Sequence, residues 1–293
     1  MKKILINVII GSVLVLVLSF NCYANGPGTT AASFLKIGVG ARAAAMGDAF
    51  TALADDPTAL YWNPAGLIKL KERQLSATYN VWFAEINQGY VGIGFPLSRG
   101  VLGGGINYVS MGNIEGRDED GNPTESFGAS DFSLCLGYAI RFSDKFIFGL
   151  SGGMIQNTIA GDTKSAFLVS SGGLLEVSES LTLGVVLQNR GTNLGSDPLP
   201  FIIKGGLAFR QGSLTLAVDI AKPSDNKMYY CAGAEWWIRD IIALRAGYKT
   251  NQDIGAGITV GIGFKKDKIQ LDYAYVPYGD LGSTHRVSFG MRF

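Results

Sequence analysis

From Gln74 to Phe293 apolar residues recur at every second position in one short stretch after another. No stretch there holds the roughly 18 consecutive apolar residues of a membrane helix. In residues 284–293, Val287, Phe289, Met291 and Phe293 alternate with Ser288, Gly290 and Arg292. In residues 267–276, Ile269, Leu271, Tyr273 and Tyr275 alternate with Gln270, Asp272 and Ala274, and in 212–221 Leu214, Leu216, Val218 and Ile220 alternate with Thr215, Ala217 and Asp219. Period two is the signature of a strand with two unlike faces. If such a chain enters a bilayer it must do so as a closed barrel, because every backbone polar group needs a partner in hydrocarbon.

About 14 strand candidates follow, near 74–83, 88–97, 100–110, 129–142, 144–157, 163–177, 179–189, 200–210, 212–221, 228–238, 240–249, 254–264, 267–276 and 284–293. Their connections alternate in length. Ser98-Arg99, Ser143, Ser178, Gln211, Arg239 and Lys265-Lys266 mark tight turns, whereas residues 111–128, 190–199, 222–227 and 277–283 are longer loops. A soluble sandwich has no reason for this regularity. An outer-membrane barrel has tight periplasmic turns and longer external loops. An even strand number then places both termini on the periplasmic side. Trp82, Phe83, Tyr108, Trp236, Trp237, Tyr248 and Tyr278 near strand ends suit interfacial girdles. The expected fold class is therefore all-β, a closed antiparallel transmembrane β-barrel of about 14 strands.

The first 24 residues support export: Lys2 and Lys3, an apolar run from Ile4 to Phe20, and a small-residue end at Ala24. This reads as a secretory signal cleaved after Ala24 and sets the expected locale as the outer membrane of a Gram-negative bacterium. The expected division is a signal peptide over 1–24, an N-terminal segment over 25–73 and a barrel over 74–293. Residues 25–73 are rich in Ala, with a helix-compatible stretch over 41–53 and a turn at Asn63-Pro64-Ala65-Gly66. Asn before Pro is held extended and Gly66 permits a positive φ, while Asp55-Asp56-Pro57 suits a helix start. Asn63, Pro64, Asp55 and Asp56 are thus the residues that shape the turns of this segment. Inward-facing polar candidates on the strands are Lys204, Asp219, Glu235, Arg245, Asp272 and Arg292. Their mixed signs suit neighbouring strands that neutralise one another inside a narrow lumen, or else a polar path.

The stretch Gly38-Val39-Gly40-Ala41-Arg42-Ala43-Ala44-Ala45-Met46-Gly47-Asp48-Ala49-Phe50, then Ala54-Asp55-Asp56-Pro57, then Trp62-Asn63-Pro64-Ala65-Gly66-Leu67 resembles the start of PorV/PorQ family proteins, within the wider FadL-like outer-membrane group. Asp272-Tyr273-Ala274-Tyr275, Gly279-Asp280-Leu281-Gly282 and Thr284-His285-Arg286 resemble its far end, with Ala217-Val218-Asp219 and Arg245-Ala246-Gly247-Tyr248 between. The resemblance implies a 14-stranded barrel with a short N-terminal plug segment over 25–73, whose plug or gate candidates are Asn63, Pro64, Asp55 and Asp56, and a terminal Phe293 read by the barrel-assembly machinery. It also implies one of two roles. PorV relatives serve type IX secretion, carrying exported cargo from the translocon to an attachment complex. FadL relatives pass long-chain fatty acids or other hydrophobic compounds. The matching motifs look structural, so no catalytic or ligand residue is carried over. Outer-membrane lipid, secretion-system subunits and exported cargo are the expected partners.

Other chemistry finds little support. Net charge is +1, which offers nucleic acid no field. Gly38 to Ala43 fits G-x-G-x-x-A, but no strand of a βαβ unit precedes it. Asp118-Glu119-Asp120-Gly121-Asn122 is an incomplete calcium loop and reads better as a solvated acidic tip. His285 is the only histidine, which excludes a two-histidine mechanism. A hydrolase would need a Ser–His pair, yet Ser283 and Ser288 read as lying on the face opposite His285. Cys135 and Cys231 read as small buried thiols whose pairing stays open. No enzyme activity and no cofactor are expected.

Overall fold

The computed structural model describes residues 26–83, 85–250 and 255–293; the leader expected over 1–24 lies outside the described residues. Strands β1 (Gln74–Val81), β2 (Asn87–Leu97), β3 (Gly100–Arg117), β4 (Pro123–Arg141), β5 (Phe146–Ile159), β6 (Asp162–Glu176) and β7 (Leu181–Gly191) form one half of the wall. β8 (Ile202–Gln211), β9 (Leu214–Pro223), β10 (Tyr229–Ile238), β11 (Ile242–Lys249), β12 (Ile258–Lys266), β13 (Ile269–Pro277) and β14 (Ser283–Arg292) form the other. Each strand pairs antiparallel with its neighbours in sequence, and β1 pairs with β14, so the sheet is a closed 14-stranded barrel. The seam runs from Gln74 opposite Arg292 to Val81 opposite His285, and the amide of Phe293 donates to the carbonyl of Arg73 at 3.0 Å. Among the described residues no helix is long and apolar enough to cross a membrane.

Alternation sorts the two faces as expected. Leu102, Ile106, Leu136, Leu150, Val218, Val260, Leu271 and Val287 all point outward and exposed, while their neighbours are buried within. An exposed apolar band of this size is an interaction surface, and on a closed barrel it matches hydrocarbon. Tyr108, Trp236 and Tyr248 stand on this outer face. Trp237 does not, because the register that exposes Trp236 turns it inward. Trp82 and Phe83 instead stack with each other, centroids 4.6 Å apart, and Tyr278 meets both edge-on.

The loop expected over 111–128 is mostly strand. β3 and β4 continue past the rim as a hairpin with irregular register between Met111, Ile114 and Gly116. Their turn is closed by Asp118, whose Oδ1 accepts from the amides of Asp120 and Asn122 at 3.0 and 2.8 Å. The sequence over 111–128 is polar and broken by glycines, so a paired ribbon above the bilayer shows no clean alternation.

Residues 33–70 run through the barrel. A 3-10 turn over Ser33–Lys36 lies at the long-loop end, then come helices α1 (Ala41–Ala45) and α2 (Ala59–Trp62) and a second 3-10 stretch over Pro64–Lys69. Met46, Phe50, Leu53, Trp62 and Leu67 are fully buried and form the main core with inward residues of the wall. The described chain thus begins at the long-loop end: the amide of Ala31 donates to the carbonyl of Pro198, and Lys36 pairs with Asp225 at 2.7 Å. The two ends of the barrel itself, Gln74 and Arg292, are at the short-turn end. Only the C-terminal end meets the expectation that both termini share one side, because residues 33–70 span the lumen before the first strand.

Candidate functional site in the barrel lumen

The α1 turn places one arginine in an otherwise alanine-lined helix, and that side chain organises the short-turn half of the lumen. Arg42 donates through Nε and Nη2 to both oxygens of Glu235 on β10, each at 2.8 Å, and through Nη1 to Asp55 at 2.6 Å. Glu235 also accepts from Arg245 Nε at 2.7 Å, and Arg245 Nη1 reaches Asp272 at 2.7 Å. Arg210 closes the other end on Asp55 at 2.7 Å. Five wall and segment elements are therefore joined by one chain of alternating charges. Arg245 is on β11 and Asp272 on β13, so the contact passes over β12. It does so at Gly263, where a Cβ would lie 2.6 Å from the Arg245 guanidinium.

Buried charges of this kind are tolerated because each is neutralised and hydrogen-bonded, and bidentate Arg–carboxylate geometry is the strongest form. Burial alone would raise the pKa of Asp55, but Arg42 and Arg210 outweigh it and hold the carboxyl below its ordinary value. Asp56, beside it, is pushed up to about 6 by burial and by the charge of Asp55. Its Oδ1 accepts from the amide of Thr58 at 2.8 Å, so it fixes the turn ahead of α2. Asp55 serves no helix start; it is the hinge of the ion chain.

The Asn63-Pro64 motif packs as a wedge. Asn63 is extended before the proline, and its Oδ1 accepts from the amide of Ala65 at 3.1 Å. Its Nδ2 donates to the carbonyl of Thr51 at 2.8 Å. A Cβ on Gly172 of β6 would stand 2.0 Å from that Oδ1, so segment and wall touch here without a gap. Gly66 is not in the positive-φ region as expected; a Cβ there would lie 2.4 Å from the carbonyl oxygen of Ala54, and space sets the residue.

The six wall candidates divide. Glu235, Arg245 and Asp272 are brought together. Asp219 instead holds the segment, accepting from the amides of Phe50 and Thr51 at 2.9 and 2.8 Å, and Lys204 lies over the Trp62 ring at 4.7 Å. Arg292 lines a half-open cavity of about 490 Å³ at the short-turn end, with Lys69, Lys265 and Trp237. Arg42, Arg210 and Lys69 escaped the sequence reading. A lone arginine in an alanine run was the available signal for the first.

At the long-loop mouth a second cavity of about 380 Å³ is lined by Phe34, Ile37, Trp82, Val109, Ile159 and Leu194, with Asp131 and Lys164 at its edge. A separate small pocket of about 50 Å³ lies beside Leu60, Tyr90 and Cys135. Cys135 and Cys231 are both free. Ser288 is buried and hydrogen-bonds Thr78 and the amide of Ala41, away from His285. Ser283, two residues from His285, shares its outer face, contrary to expectation, and stands 3.5 Å from Nε2; the other ring nitrogen pairs with Tyr273 at 2.8 Å. Among the described residues no group of three or more His, Cys, Asp or Glu could hold a metal.

Comparison with known proteins agrees with this architecture. The family described as type IX secretion system protein PorV matches residues 24–173. The toluene transporter TodX of Pseudomonas putida is 14% identical over 86% of this chain and 96% of its own, with a TM-score of 0.65. The CymD monoaromatic hydrocarbon channel is 12% identical over 87% and 98%, TM-score 0.64, and a FadL homologue of Pseudomonas aeruginosa is 10% identical over 83% and 95%, TM-score 0.55. At such identities the likeness concerns the fold. No curated protein matches the chain.

Proposed function

The chain belongs to the PorV family, and from that premise we propose that it is a non-enzymatic outer-membrane component of protein secretion, holding or handing on exported cargo. The observation that carries this reading is the closed lumen. Residues 33–70 are tied to the wall by the Arg42–Glu235–Arg245–Asp272 chain and wedged at Asn63 against Gly172, so the barrel is built as a rigid platform. Its work then falls to the surface outside the bilayer, above all the β3–β4 hairpin that rises past the rim. Deleting the gene and cataloguing surface proteins by mass spectrometry tests the role. Loss of a defined set of exported proteins is expected, and an unchanged surface would overturn it. Gentle extraction from native outer membranes should bring down secretion subunits or cargo in stoichiometric amounts.

A second reading, passage of a hydrophobic small molecule, is favoured by the apolar cavity at the long-loop mouth. It requires residues 33–70 to move, since their buried side chains fill the lumen between that cavity and the short-turn end. On this reading Asn63→Ala alters uptake of a labelled hydrocarbon and leaves surface proteins untouched; on the first reading it changes neither uptake nor the surface proteins.

A further inference from the structure

The larger cavity faces the opposite way from the apolar mouth and has a different chemistry. The segment packs against β3–β6 through Pro64–Lys69, which leaves the lumen beside β8–β14 unfilled at the short-turn end. Two wall positions on that side, Lys265 and Arg292, point into the space, and Lys69 and Lys71 enter it from the segment.

The carboxylates there are mostly spoken for. Asp55 is shared by Arg42 and Arg210, Glu235 by Arg42 and Arg245, and Asp272 by Arg245 and Gln270. That leaves Asp56 and Glu72 against Lys69, Lys71, Lys265 and Arg292, none of which forms an ion pair among the described residues. Lys265 rests instead on the Trp237 ring at 5.4 Å, and Arg245 lies 5.6 Å from the same ring. Burial and the charge of Arg210 pull Lys69 down to about 8, against the pull of Asp55 and Glu176, with Arg42 adding to the repulsion. A cation in that position is one that a bound anion relieves.

We propose that this cavity is an anion site on the periplasmic face, taking a carboxylate or phosphate group between Lys265, Arg292 and Lys69 with Trp237 as its flat apolar wall. The volume admits a small solute or one lipid headgroup, and both sources present the same chemistry. The paired Arg42–Asp55–Glu235 floor gives the site a rigid base, and the two wall cations lie on strands, which hold them in place better than loops do. The site stands whichever role the long-loop face performs, so its failure would not touch the secretion reading.

The test is calorimetric titration of the purified full chain, in phosphatidylcholine nanodiscs at constant ionic strength, with inorganic phosphate as the probe. Saturable binding is expected, weakened by about tenfold in Lys265→Gln and in Arg292→Gln, as removal of one charge-assisted hydrogen bond implies. Lys164→Gln at the opposite mouth should leave it unchanged. Should either wall variant fail to fold, chloride in place of phosphate on the unaltered chain serves: the site predicts that chloride gives no saturable heat. Phosphate binding that matches chloride, or that both wall variants retain in full, overturns the proposal. Discs containing phosphatidylglycerol separate the sources, since competition with phosphate identifies a lipid headgroup and undiminished phosphate binding identifies a soluble anion.

Discussion

Asp56 and Glu235 show how the lumen uses buried charge at the scale of single residues. Asp56 holds its proton up to about pH 6, above the ordinary carboxyl near 4, so the folded state binds that proton more tightly than the unfolded chain. Stability from this group is therefore highest below about pH 4, declines as pH rises toward 6, and carries a constant penalty above. Asp56→Asn keeps an Oδ1 acceptor for the Thr58 amide and removes the penalty. After allowance for partial exposure the gain is about 1–2 kcal/mol at pH 8, vanishing near pH 4. Urea unfolding followed by tryptophan fluorescence at the two pH values measures it, and equal gains at both would refute the burial argument. Glu235 on β10 sits between two guanidinium groups. Glu235→Gln leaves Arg42 and Arg245 side by side with only Asp55 and Asp272 to offset them, and should cost about 3 kcal/mol or more. Adding Arg42→Gln should return part of that cost, a coupling that a double-mutant cycle reads directly.

At the scale of elements, the wall was legible because period two survives wherever one face meets lipid. Leu214, Leu216, Val218 and Ile220 face out and Thr215, Ala217 and Asp219 face in, as the alternation implies. Legibility failed where that selection stops. β3 and β4 above the rim meet water on both faces, so they read as a loop. The ion chain failed for another reason: Arg42 and Glu235 are 193 positions apart, and Arg245 reaches Asp272 only because Gly263 is bare, facts of register and not of composition. The hairpin above the rim carries its own prediction. Its turn is closed locally by Asp118, and it contributes nothing to the seam or to the lumen core. Deleting residues 112–126 should therefore leave heat-modifiable migration on gels intact, while recovery of secretion partners on gentle extraction falls. Loss of the folded band would show that the hairpin is part of the barrel's stability.

For the molecule as a whole, the path of the chain is the constraint from which the rest follows. A closed barrel has no edge through which a segment could be added late, so residues 33–70 must be inside when β1 and β14 zip. The segment begins against Pro198 and Asp225 among the long loops and leaves at Arg73 among the short turns, so it crosses the full height of the wall. With long loops outside the cell, as in outer-membrane barrels generally, Thr29 is exposed at the surface and Glu72 faces the periplasm. Thr29→Cys should accordingly react on intact cells with a maleimide polymer too large to cross the outer membrane. Glu72→Cys should react only after the membrane is opened, with the unaltered chain as the background for Cys135 and Cys231. The reverse pattern would invert the barrel and move the charged cavity to the outside. Both positions silent on intact cells would mean that the start of the segment lies buried among the loops. The barrel's orientation would then have to be read from the β3–β4 hairpin.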